Sequence, residues 1–167
     1  MNLFFRHQVI VLLVSIIAFS SAQDSPLQIE LNAFLVTEVT SDSGDSAERF
    51  SLAQEVFPGN VLEYRLDLTH VGEDTLPTGV SVRGPIPDNT QYLASSASQG
   101  GLAELTFSID GGETFAAEPI TRTETDENGN DVIVTVPPSE YDVARWTLND
   151  PLEPGQVLTF IYRVEVQ

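Results

Sequence analysis

The sequence predicts an all-β protein, an antiparallel sandwich of about seven to nine short strands. Three observations carry that reading. The frame Pro-Gly-(Asn/Gln)-Val-Leu occurs at Pro58-Gly59-Asn60-Val61-Leu62 and again at Pro154-Gly155-Gln156-Val157-Leu158, and each copy opens a long alternating run. Turn signals built from Gly, Asn, Asp and Pro recur between apolar runs at the spacing of a sandwich. No helical period follows the N-terminal segment.

Taken in order, Leu27, Ile29, Leu31, Ala33 and Leu35 alternate with Gln28, Glu30 and Asn32, which predicts a first strand running to about Val39. Ser41-Asp42-Ser43-Gly44-Asp45-Ser46 is too polar to bury and reads as a surface loop. A short edge strand is expected over Arg49 to Glu55. Leu62, Tyr64, Leu66 and Leu68 then share one face of a strong strand from Val61 to His70. A shorter one around Gly79 to Val82 stops at Gly84-Pro85-Ile86-Pro87, where prolines forbid a central ladder. Leu105, Phe107 and Ile109 share the next face, and Asp110-Gly111-Gly112 closes it with a turn that needs positive φ. Ile120 to Glu124 and Val132 to Val136 flank Asn128-Gly129, a two-residue hairpin signal. Ala144, Trp146 and Leu148 alternate inward, and Leu158, Phe160, Tyr162, Val164 and Val166 do so in the last strand. The expected core is therefore Leu62, Tyr64, Leu66, Leu68, Leu105, Phe107, Trp146, Leu148, Phe160, Tyr162 and Val164.

The N-terminus has the pattern of a secretory signal. Arg6 precedes an apolar run from Val9 to Phe19, and Ser20-Ser21-Ala22-Gln23 offers small residues for cleavage after Ala22. That run is about half of the ~20 residues a membrane-spanning helix needs, so no transmembrane segment is expected after cleavage. The expected organisation is a signal peptide over 1–22 and one domain over 23–167, long enough to bury a core without disulfides. The chain has no cysteine.

Residues 1–22 hold one of the seven arginines and none of the 25 acidic residues, which leaves a net charge of −19 and no lysine. Such a field repels nucleic acid and anionic lipid. Solubility, a high-salt surroundings and divalent-cation binding all remain open as its meaning.

Several pieces in shared order, Pro58-Gly59-Asn60-Val61-Leu62-Glu63-Tyr64, Gly84-Pro85-Ile86-Pro87, Ser108-Ile109-Asp110-Gly111-Gly112-Glu113-Thr114-Phe115 and Arg145-Trp146-Thr147-Leu148 with Leu152-Glu153-Pro154-Gly155, resemble the bacterial "conserved repeat" or DUF11-type domain over about residues 56–167. The resemblance implies an immunoglobulin-like β-sandwich in an exported, envelope-associated protein, located in the periplasm or at the cell surface. It implies no established biochemical role.

Candidate chemistry is sparse. Ser108 to Phe115 fits the Ser-x-Asp-x-Gly-x-Thr-aromatic "Asp-box", a hairpin clip whose carboxylate accepts turn amides. His70 stands alone after the signal, so no histidine zinc cluster can form, and its place on a strand's inward face reads as a packed, hydrogen-bonded side chain. Oxygen ligands for calcium are available at Asp42 and Asp45, and above all at Asp126, Asn128, Asn130 and Asp131, though the glycine falls at the fourth loop position rather than the sixth. Tyr92, Phe115 and Tyr141 lie beside turns and are expected to be partly exposed, available to a partner. No catalytic residue and no cofactor is assigned. The leading expectation is a non-catalytic structural or interaction protein of the cell envelope with an envelope or extracellular protein or glycan as partner. The alternative is a calcium-stabilised glycan- or protein-binding module, and the third class is a secreted hydrolase.

Overall fold

Five antiparallel strands on one side and three on the other close over a single apolar core in the computed structural model. It describes residues 25–40, 44–98 and 103–167. The expected signal segment, its cleavage point and Asp42 lie outside the described residues. No helix among the described residues is long and apolar enough to cross a membrane.

The larger sheet runs β2 (Ser46–Leu52), β1 (Leu27–Thr40), β3 (Val61–His70), β10 (Val157–Val166) and β5 (Thr90–Tyr92). The smaller runs β4 (Ser81–Pro85), β9 (Val143–Leu148) and β6 (Ala103–Ser108). β3 and β10 are central because their period-two alternation gives one apolar face, broken only by His70 at the end of β3. Tyr64 lies opposite Tyr162, Leu66 opposite Phe160 and Leu62 opposite Val164, so the two inward rows meet side by side. From the other sheet Trp146 reaches down between them, with its ring 5.3 Å from Phe160 and 5.9 Å from Tyr162. Its indole N–H donates to the Ser98 carbonyl at 2.8 Å, which satisfies the one polar atom that burial would orphan.

The all-β, antiparallel sandwich expected from the sequence is therefore what forms. Every expected core residue is buried or packed against the core, with Tyr64 and Leu105 only partly buried. Two β boundaries move. The edge strand begins at Ser46 and ends at Leu52, and β4 continues through Gly84 to Pro85. β4 tolerates the proline because it pairs with β9 alone and its other side is an edge. Gly84 is required there, since a Cβ would sit 2.8 Å from the Tyr162 ring and 3.2 Å from Leu66 and Trp146.

β7 (Thr121–Thr125) and β8 (Asp131–Thr135) pair only with each other and leave the sandwich as a separate ribbon. Its roots are anchored, because Ile120 and Val136 are buried and Val136 donates to the Ile120 carbonyl. The ribbon's turn corrects the two-residue expectation. Asp126 bonds Asn130, and Gly129, at φ +82°, donates to the Asp126 carbonyl. This is a three-residue loop in which only Gly129 takes the left-handed conformation.

Candidate functional site

The sites expected from sequence sort themselves by what their polar atoms already hold. Asp110 accepts the Glu113 and Thr114 amides at 3.0 and 2.9 Å and the Thr114 hydroxyl at 2.5 Å, while the Ser108 hydroxyl donates to the carboxylate and takes the Gly112 amide. The Thr114 bonds lead in holding the Asp110 carboxyl down at about 2, below the ordinary range. The box thus closes the end of β6 as a clip, and Phe107 exchanges both backbone bonds with Ala116 beyond it. Asp126 is engaged in the same way. Its carboxylate takes the Asn130 and Asn128 amides at 2.8 and 2.9 Å, and these bonds, Asn130 first, hold it below its ordinary value. Asn130 turns its side-chain amide to the same carboxylate, and Asp131 meets the Thr125 hydroxyl at 3.4 Å. Among the described residues no group of three or more His, Cys, Asp or Glu is gathered so as to hold a metal ion.

Two aromatic expectations are corrected. Tyr92 and Tyr141 are buried rather than offered to a partner, because their rings stack at 5.8 Å and both lean on Phe107. Their hydroxyls face inward bonds: Tyr141 accepts the Ile120 amide and Tyr92 the Ala97 amide. Burial pushes the Tyr92 phenol up to about 12. Phe115 is half-buried under the Arg145 and Arg83 guanidinium groups, 3.9 and 5.1 Å from its ring centre. His70 is packed as expected but not hydrogen-bonded, for neither ring nitrogen has a partner among the described residues.

Among the described residues, the β2 edge is one region left with unspent bonding capacity. Ala53 donates to the Ala33 carbonyl, which sets the parity of the β1–β2 ladder. Ala47, Arg49 and Ser51 therefore turn their backbone groups to β1, and Ser46, Glu48, Phe50 and Leu52 turn theirs outward. β1 runs past the end of β2, so Ile29 and Leu31, 53 and 42 % exposed, also turn their backbone groups to an open side among the described residues, whereas the β4, β6 and β5 edges are blunted. On β4 the same reasoning, from the Ile86 amide to the Asp142 carbonyl, puts Ser81, Arg83 and Pro85 on the open side. Pro85 has no N–H and its carbonyl takes the Tyr162 hydroxyl at 2.5 Å. β6 is capped at Phe107 by Ala116, and β5 is three residues long.

Side chains make the β2 edge adhesive on one face. Leu52 and Phe50 are 62 and 38 % exposed, opposite Phe34 and Val36 of β1. Arg65 lies over both phenylalanine rings, 4.6 Å from Phe34 and 4.8 Å from Phe50. Glu63, only 4 % exposed, holds Arg65 at 2.6 Å and Arg163 at 2.8 Å. Arg163 then forks onto both Glu48 oxygens at 2.7 Å. That bidentate bond is the first cause of the lowered Glu48 carboxyl and the raised Arg163 guanidinium. Next to it a cavity of about 340 Å³ opens between Val36, Glu38, Glu48, Val61, Leu93 and Arg163. The result is a sheet face tied by ion pairs that ends in a strand whose outward donors and acceptors have no partner strand among the described residues. Sequence reasoning placed an edge strand here but missed Phe50, Leu52, Glu48 and Arg163 as a unit. The alternation Glu48, Phe50, Leu52 was the available signal. No protein-family model, curated protein or solved structure matches this chain.

Proposed function

We propose that this protein is an exported, non-catalytic β-sandwich with a structural or interaction role at the bacterial cell envelope, acting through its β2 edge. The observation that carries the reading is that edge: seven residues without proline, its outward backbone groups without a partner strand among the described residues, and Phe50 and Leu52 exposed beside it. An unblunted edge is a template for a further strand, and soluble proteins otherwise suppress it. Export is supported by the pattern of residues 1–22, and the interaction reading by carboxylates that serve turns and ion pairs. The calcium alternative rests on the same loops, and a hydrolase would need two carboxylates across a cleft.

The test is to express the full chain with a C-terminal tag in a bacterium, fractionate the cells, determine the N-terminus and cross-link in place. Recovery from the envelope or medium with Gln23 first, cross-linked to protein or glycan there, is the expected result. An intact Met1 form confined to the cytoplasm would overturn the reading.

A further inference from the structure

We propose that β2 pairs with β2 of a second copy of this chain, antiparallel about Phe50, so that two sheets join into one. This inference rests on the interaction reading above and names its partner. The strand is self-complementary in backbone terms, because Ser46, Glu48, Phe50 and Leu52 all turn donors and acceptors outward and an antiparallel twofold matches such residues with each other.

Side-chain charge selects the register. Centring on Arg49 would set two guanidinium groups face to face, and centring on Glu48 two carboxylates, both destabilising. Centring on Phe50 places Phe50 on its own copy, Arg49 against Ser51, and Glu48 against Leu52. No like charges meet, and five strand residues overlap. A shift to Ser51 also avoids like charges but leaves three. Glu48 can face an apolar residue because Arg163 already neutralises it on both oxygens.

The electrostatics of the whole surface favour the same place. Most of the molecule is acidic and would repel its copy. Three of the seven arginines, Arg49, Arg65 and Arg163, stand at or beneath this edge, and two of them lie over Phe50, at 4.8 and 5.9 Å. Pairing would cover Phe50 and Leu52 in the process, and screening of the remaining repulsion by salt should strengthen it.

The experiment is sedimentation equilibrium of residues 23–167, which contain every described element, at low and high sodium chloride. A dimer whose dissociation constant falls at least tenfold with added salt is expected. Leu52→Glu, at a mostly exposed position, would set a carboxylate against Glu48 at each end of the interface and should raise the dissociation constant at least tenfold with the melting temperature unchanged. The chain has no cysteine, so single cysteines report the register. Phe50→Cys should form an intersubunit disulfide, since directly opposite hydrogen-bonded residues lie ~5.5 Å apart. Arg49→Cys, Ser51→Cys and a β7 control, Thr123→Cys, should cross-link at least tenfold less. A monomer at every salt concentration, a dimer indifferent to Leu52→Glu, or preferential cross-linking at Arg49 or Ser51 would overturn the proposal. A monomer that is nonetheless exported and captures an envelope partner would leave the function reading standing. A dimer that never leaves the cytoplasm would do the reverse.

Discussion

Trp146 has no exposed surface, and its ring bridges the two sheets while its N–H is spent on Ser98. Truncation opens a large cavity and orphans that carbonyl, so Trp146→Ala is expected to cost about 3–5 kcal/mol in chemical denaturation. A loss below about 1 kcal/mol would place the ring at the surface. Gly84 is the complementary case, where the core has no room for one more carbon. Gly84→Ala should lose about 1–3 kcal/mol by overpacking, read from the same denaturation midpoint. Asp110 shows residue chemistry through pH. Its carboxyl is depressed in the fold, led by the Thr114 bonds, so its contribution is complete above the ordinary aspartate value of about 4 and is lost as pH falls towards about 2. Carboxyl-carbon NMR should show Asp110 titrating near 2, and an inflection near 4 would mean that the clip is open. Tyr92 and Tyr141 show why turn proximity misleads. Lying next to a loop says where the backbone goes, whereas burial of both rings depends on Phe107 arriving from a different strand.

At the scale of elements, β3, β9 and β10 were legible because alternation in a half-buried strand is a local property that survives in the sequence. The β7–β8 ribbon was legible only as a hairpin. Its turn chemistry is local, but its separation from both sheets is decided by where its roots Ile120 and Val136 are buried. β2 was the hardest, since which of its residues carry free N–H groups follows from the register with β1 and not from Ser46–Leu52 alone. An isolated two-stranded ribbon is marginal in water, and this one has nine of its ten strand positions exposed and an ion pair from Arg122 to Glu140 at its side. Amides of β7 and β8 are therefore expected to exchange with deuterium at least tenfold faster than those of β3 and β10. Equal protection would mean that the ribbon is packed against something.

For the whole molecule, the dominant quantity is its net charge of −18. Asp110 and Asp126 are engaged by turn amides, so thermal stability should follow ionic strength rather than the identity of the cation. Calcium and sodium at matched ionic strength are expected to give the same unfolding midpoint, and an extra rise with calcium would restore the Asp126 to Asp131 loop as a ligand site. On this acidic surface the β2 edge brings arginines, exposed apolar side chains and outward backbone groups together. Residue-resolved hydrogen exchange by NMR at low and high protein concentration tests that directly. Ala47, Arg49 and Ser51 should be protected at both, while Glu48, Phe50 and Leu52 should exchange freely when dilute and gain at least tenfold protection when concentrated. Free exchange of those three amides at every concentration would contradict β2 as the surface through which copies of this protein meet.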